Sequence, residues 1–452
     1  MGSVACACAE SFRDTRPAKP RPSRRGFCAH GGVAPSGRSF HPGDRRHEPR
    51  HQPPFRPRRP RPPRPRPSPR PVPPAGRGAG DGVLAPRGLV LARALEDAAR
   101  RRASADGYHE VRTPQLLRQP IWEKSGHWQH FRQGMFAVAD EGCGAALKPV
   151  SCPGHIQIAQ RSALSYRDLP LRLCEFGLCH RDEPSGTLHG LFRLRQFTQD
   201  DGHVFCAEDQ IAAEIVRFCQ GARRFYAGFG FEDFAVGLST RPPERVGDDA
   251  LWDRAEAQLA AAAREAGLDY VVQPGEGAFY GPKLEFSLRD RLGRSWQCGT
   301  IQLDFNLPER FGLHYIDEAG QRRRPAMLHR AIYGSLERFL AIVLEHHAGA
   351  LPAWLAPVQV VVAPVAQAQQ AAAEAAVAEL RAAGIRVELD DRRETLARRV
   401  AEAHAQGVPM LAVIGAREAS SEALTLRIRE EQQVLPRAQA VAQIARHCAP
   451  PV

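Results

Sequence analysis

No run of apolar residues in this 452-residue chain is long enough to cross a membrane as a helix, and no secretory signal is recognisable. Membrane-spanning and exported classes are therefore not expected. The 11 cysteines are scattered without the spacing of a disulfide framework, which predicts reduced thiols and a cytoplasmic location. Neither the phosphate-loop pattern ending in lysine nor the dinucleotide glycine fingerprint occurs, so any nucleotide must be held by other chemistry. No internal repeat is present. Acidic residues are scarce at the start: residues 1–80 hold 18 of the 62 Lys and Arg but only four of the 50 acids, leaving 44 bases against 46 acids elsewhere. The net charge of +12 thus belongs to this segment, and the rest is almost neutral.

What is present divides into three blocks. Residues 1–86 hold 19 of the 38 prolines, with runs such as Pro57-Arg-Arg-Pro-Arg-Pro-Pro-Arg-Pro-Arg-Pro67. They carry too little apolar surface to offset chain entropy, which predicts a disordered or polyproline II tail. Such a tail suits a solvated extension or an RNA-binding arm. It suits a targeting peptide less, because proline disrupts the amphipathic helix required. Residues 87–355 open on a helical pattern (Leu89, Leu91, Leu95, Ala98) and close on a helix expected from His329 to about His347. Between them lie strand-like runs, Leu171–Phe176, Arg193–Phe205, Leu284–Leu288 and Ser295–Phe305. Adjacent runs suggest antiparallel pairing and an α+β domain. Residues 356–452 alternate strand and helix, with strands at Val358–Ala363, Ile385–Leu389 and Met410–Ile414, helices at Ala366–Ala383 and Thr395–Gln406, and a last strand and helix. This predicts a small parallel or mixed α/β domain.

The stretch Cys179–His203 concentrates three arginines, three histidines and several carboxylates in 25 residues. Its loop, Glu183-Pro-Ser-Gly186, separates two extended runs. In the second, Arg193, Arg195, Phe197, Gln199, Asp201 and His203 alternate, so a strand would set all six on one face. Cations and a flat ring at one end, with amide, carboxylate and imidazole at the other, suit an anionic aromatic ligand beside a small polar one.

Several long strings occur in order: Gly107-Tyr-His-Glu-Val-Arg-Thr-Pro114, Trp122-Glu-Lys-Ser-Gly-His-Trp128, Lys148-Pro-Val-Ser-Cys-Pro-Gly-His155, the 179–203 stretch, Phe279-Tyr-Gly-Pro-Lys283, Gln297-Cys-Gly-Thr-Ile-Gln302 and His329-Arg-Ala-Ile-Tyr-Gly-Ser-Leu-Glu-Arg338. On these the chain resembles the class II aminoacyl-tRNA synthetases, and among them the threonyl-tRNA synthetases. The resemblance implies an antiparallel class II catalytic domain followed by an anticodon-binding domain. It implies threonine, ATP with Mg²⁺ and tRNA(Thr) as substrates, and a homodimer built around the motif containing Pro114.

The resemblance also implies roles. Cys152, His203 and His329 would bind one Zn²⁺; two imidazoles and a thiolate leave one tetrahedral position open, as in catalytic sites. Gln199, Asp201 and Tyr280 would form the amino-acid pocket, with Asp201 accepting the threonine hydroxyl. Arg181 would grip the α-phosphate and carboxylate, and Glu183 the adenine amino group. Arg193 and Arg338 would hold the γ-phosphate, and Phe197 would stack on adenine. Gln297 and Thr300 would hold the ribose, Lys283 would add a cation, and His127 would move the proton in transfer to tRNA. Cys174, Cys179, His180 and Cys206 read as packing.

Departures from the family are also legible. Leu426-Arg-Ile-Arg-Glu-Glu-Gln432 brings two acids where a basic glycine turn is usual, and Thr395 and Ala397 replace a lysine and a glycine. Arg392, Arg393, Arg427 and Arg429 remain as RNA contacts. Val150 and Ser151 replace methionine and asparagine. Residues 1–86 resemble no editing module, so a truncated form that misactivates serine is expected. Two rival readings stand: a threonine-activating paralogue that loads a carrier protein, and an inactive RNA-binding regulator.

Overall fold

A computed structural model describes residues 84–138, 144–429 and 431–451, together with Gly82. The expected tail falls almost wholly outside the described residues. Its last residue, Pro86, already starts helix α1 (Pro86–Ala105), where proline's missing N–H costs nothing. Leu91, Leu95 and Ala98 are buried along one stripe of α1, whereas Leu89 is 42% exposed and off it.

The larger sheet has eight strands: β1 (His109–Glu110), β2 (Leu171–His180), β3 (Gln196–Cys206), β4 (Ala235–Ser239), β5 (Val271–Gln273), β6 (Lys283–Arg289), β7 (Ser295–Asp304) and β8 (Ala326–Ala331). Their spatial order is β1-β2-β3-β8-β7-β6-β4-β5, antiparallel except for the two edge pairs. Alternation along the strands sorts the side chains by face. Val204, Leu284, Phe286, Ile301, Leu303 and Leu328 enter the main core with α1, α3 (Ile211–Ala227), α4 (Asp249–Glu265) and α5 (Leu336–His346). The other face packs Leu173, Phe205 and Met327 against α2 (Cys152–Ala159). On that face, cross-strand register sets Leu173, His203, His329, Gln302 and Lys283 in one row.

Two expectations are corrected here. The ladder starts at Gln196, not Arg193. Leu191, Phe192 and Leu194 dock into the main core through a tight turn between His189 and Arg193, which takes Arg193 and Arg195 out of the strand. His329 does not start a helix. It sits in β8, paired on both sides, and the helix begins at Leu336 after Gly334 (φ 72°) and the Ser335 cap. A Cβ at Gly334 would stand 2.4 Å from the Cys298 carbonyl oxygen, so only glycine makes this turn.

The second sheet comprises β9 (Val360–Pro364), β10 (Val387–Leu389), β11 (Met410–Ile414), β12 (Ala423–Ile428) and β13 (Glu431–Pro436), in the order β10-β9-β11-β12-β13. It is mixed, parallel from β10 to β11 and antiparallel beyond. Helices α6 (Gln370–Ala382) and α8 (Arg437–His447) cover one face, and α7 (Leu396–Ala405) packs on the other through Ala403. The single last strand expected from the sequence is a hairpin, β12 and β13. No helix among the described residues is long and apolar enough to cross a membrane.

Candidate active site

The face of the sheet opposite the main core opens into a cleft of about 530 Å³. Arg181, Glu183, Arg193 and Phe197 line one part of it, and Gln297, Thr300, Lys283 and Arg338 another. His127, Gln199 and Tyr280 line it too. Asp201, Cys152, His203 and His329 lie buried below, each 6% exposed or less. The cleft and its floor therefore gather all fifteen residues singled out from the sequence.

Each cation in the cleft has a neighbour. The Arg181 guanidinium lies over the Phe197 ring, 5.0 Å from its centroid, and its Nε donates to the Pro149 carbonyl. Arg193 pairs with Glu183 at 2.8 Å. Arg338 donates to the carbonyls of Phe192 (2.8 Å) and Gln297 (2.9 Å), which fixes its fork at the start of α5. Lys283 pairs with Glu285, which also accepts from Gln297 at 2.7 Å. Tyr280 donates to Gln302 Oε1 at 2.8 Å, a partner the sequence reading passed over. Its ring lies 4.9 Å from that of His329 and bridges cleft and floor.

The floor is a metal-type cluster. One ligand atom each from Cys152, His203 and His329 falls within 4.8 Å of the others. His203 Nε2 and His329 Nδ1 face each other at 3.0 Å. Behind them, His329 Nε2 donates to Asp304 Oδ2 at 2.9 Å, and Asp304 Oδ1 accepts the backbone N–H groups of Asn306 and Leu307. His329 thus turns its lone pair, on Nδ1, toward His203. Burial, then the neighbouring His155 and His329, pushes His203 well below the usual histidine range. Burial and the Asp201 and Asp304 carboxylates push the Cys152 thiol well up. Two facing lone pairs and a thiol give one another nothing; a divalent cation turns all three into ligands, so the residues fit zinc. Asp201 stands beside them, 3.6 Å from His203 Nε2, and accepts from the Ser151 N–H at 3.1 Å.

His127 is buried, with Nδ1 2.8 Å from Ser125 Oγ and Nε2 4.0 Å from Cys152 Sγ. Burial, with His329 and Arg181 nearby, pulls its pKa down to about 3, so it does not titrate near neutrality as the sequence suggested. Cys174, Cys179 and Cys206 are free buried thiols, and the half-buried His180 pairs with Gln196. Sequence reasoning passed over His155, Glu175, Lys148, Asp200 and Asp304. His155 and Lys148 were nevertheless in a quoted string, whereas Glu175 meets the site only through its cross-strand pairing with Asp201.

An antiparallel sheet backed by helices, with paired arginines and a cleft on its open face, is the architecture of a class II synthetase core. Residues 136–347 match the family model "tRNA synthetase class II core domain (G, H, P, S and T)", and residues 359–447 match "Anticodon binding domain". Threonine–tRNA ligase of Phenylobacterium zucineum is 52% identical over 368 residues, covering 81% of this chain and 56% of that protein. The corresponding enzyme of Methylobacillus flagellatus is 52% identical over 349 residues, 77% of this chain and 55% of its own. This chain therefore spans about half the length of these curated relatives. A crystal structure described as the RNA binding domain of threonyl-tRNA synthetase from Cryptosporidium parvum superposes with a TM-score of 0.79 at 38% identity, over 82% of this chain and 93% of that one. The chain belongs to the threonyl-tRNA synthetase family.

Proposed function

We propose that this protein is a threonine–tRNA ligase, which activates threonine with ATP and Mg²⁺ and transfers it to the 3′ end of tRNA(Thr). The observation that carries the reading is the buried Cys152–His203–His329 cluster beneath a cleft walled by Arg181, Arg193 and Arg338. Zinc bound there would supply an open coordination position for the amino group and hydroxyl of threonine. Asp201 accepts the hydroxyl proton; valine, lacking it, leaves this carboxylate unpaired, which is how such sites reject an isostere. Gln199 and Tyr280 close the amino-acid pocket.

Arg181 leaves the Phe197 face and binds the α-phosphate and the threonine carboxylate together, where a planar fork suits two oxyanions. Adenine stacks on Phe197, with Glu183 accepting from its amino group. Arg193 and Arg338 hold the γ-phosphate, Gln297 and Thr300 the ribose, and Lys283 adds positive charge. The carboxylate attacks the α-phosphorus in line, and pyrophosphate leaves. Positioning and charge stabilisation carry this step, with no covalent enzyme intermediate. In transfer, the terminal ribose hydroxyl attacks the carbonyl carbon of the adenylate and AMP leaves, with His127 relaying the hydroxyl proton toward the departing phosphate.

In the same proposal, residues 87–355 form the adenylating unit and 356–452 read the anticodon, in a homodimer joined through the segment around Pro114. A cytoplasmic location is part of it, supported by seven free buried thiols among the described residues. The test is charging of tRNA(Thr) transcript with labelled threonine, expected to saturate with ATP and threonine. Threonine-dependent pyrophosphate exchange without charging would select the carrier-loading rival, and neither activity would select the inactive regulator.

A further inference from the structure

We infer that His155 and Glu175 are positioning residues for His203: a buried relay from Glu175 through His155 decides which His203 nitrogen is free for the metal. The inference rests on the zinc reading above. His155 lies on α2 one turn after Cys152, fully buried. Its Nε2 is 3.3 Å from Glu175 Oε2, and its Nδ1 is 2.7 Å from His203 Nδ1. Glu175, on the site face of β2 and 4% exposed, accepts from Lys148 Nζ (2.6 Å), the Thr113 N–H (3.2 Å) and the Thr113 hydroxyl (2.7 Å).

With His155 neutral, one arrangement of protons satisfies both of its contacts, to Glu175 and to His203. An ionised carboxylate only accepts, so His155 must donate to it through Nε2–H. The Nδ1 of neutral His155 is then a lone pair, and His203 must donate to it through Nδ1–H. That leaves the His203 lone pair on Nε2, the atom facing His329 and the cluster. Carboxylates commonly orient metal-bound histidines directly. Here a second histidine is interposed, and the carboxylate is anchored by Thr113, next to Pro114 in the first motif. The segment proposed to join the dimer is therefore wired to the metal floor.

A substitution can reverse the relay without removing an atom. In Glu175→Gln, the amide oxygen keeps the bonds from Lys148 and the Thr113 N–H, while the NH₂ replaces Oε2. It donates to His155 Nε2, which drives the His155 proton to Nδ1 and the His203 proton to Nε2, on the metal side. His155→Phe breaks the relay, whereas His155→Gln keeps one acceptor and one donor.

Zinc affinity of the purified full chain and the three variants is read by competition with a chromogenic chelator, with folding checked by circular dichroism. Glu175→Gln and His155→Phe are expected to bind zinc 10- to 100-fold more weakly, and His155→Gln within a few-fold of wild type. A folded Glu175→Gln or His155→Phe protein with wild-type affinity overturns the relay. So does an equal loss in His155→Phe and His155→Gln, which marks packing alone. If Glu175→Gln does not fold, the two His155 variants decide. A wild-type chain that takes up no zinc sinks the metal reading itself, a separate failure.

Discussion

At the scale of single residues, the proposed selectivity rests on Asp201, a carboxylate 5% exposed with one firm partner, the Ser151 N–H. Asp201→Ala is expected to lower kcat/KM for threonine in pyrophosphate exchange by about 10- to 100-fold, the worth of a hydrogen bond to a charged group. Valine should lose little, so discrimination narrows; an equal loss for both amino acids would contradict the assignment. His127 makes a different prediction. Its folded pKa is about 3 against an ordinary 6.5, so between those values the unfolded chain binds a proton the folded chain refuses. Its contribution to stability is therefore full above pH 6.5 and lost as pH falls toward 3. Denaturant titrations across that window should show a shallower decline in His127→Asn than in wild type. Parallel curves would mean that folding does not shift the His127 pKa.

At the scale of elements, the turn from β8 into α5 is held by one carboxylate. Asp200 accepts the N–H groups of Ile332 (2.7 Å), Tyr333 (3.0 Å) and Gly334 (3.1 Å), and Arg330 lies 3.6 Å away. Glu337 ties the start of α5 back to the Thr198 N–H of β3 at 3.0 Å. Asp200→Ala strands a buried arginine and three amides. It should cost about 3–5 kcal/mol in chemical denaturation and raise KM for ATP, because Arg338 hangs on that turn. A loss under about 1 kcal/mol would show that the clamp is dispensable. This turn also marks where the sequence ceased to be legible. The string from His329 to Arg338 identified the arginine, but its apolar pattern read as one helix. Pairing of β8 on both sides overrode that local pattern. Likewise, alternation placed Phe197, Gln199, Asp201 and His203 correctly, but could not reveal that Leu191, Phe192 and Leu194 drop into the core and pull Arg193 off the strand. Glu175 and Asp304 matter only through register and tertiary approach, which spacing along one chain does not encode.

At the scale of the whole molecule, the proposed adenylating cleft is joined to a mixed α/β domain that matches an anticodon-binding model over residues 359–447. Of the cations expected to meet RNA, Arg392 is paired with Asp390 (2.7 Å) and Glu402 (2.5 Å), and Arg427 donates to the neutral Gln432 at 2.6 Å. Arg427→Glu should raise KM for tRNA and leave threonine-dependent exchange unchanged; equal effects on both would place Arg427 outside RNA recognition. The central claim, that a metal on the floor of the cleft selects the amino acid, is tested most directly by exchange with threonine and valine before and after removal of bound metal, verified by elemental analysis. The account predicts one zinc per chain, exchange with threonine far above valine, and loss on metal removal that returns with added zinc. Full threonine exchange by metal-free protein would contradict it.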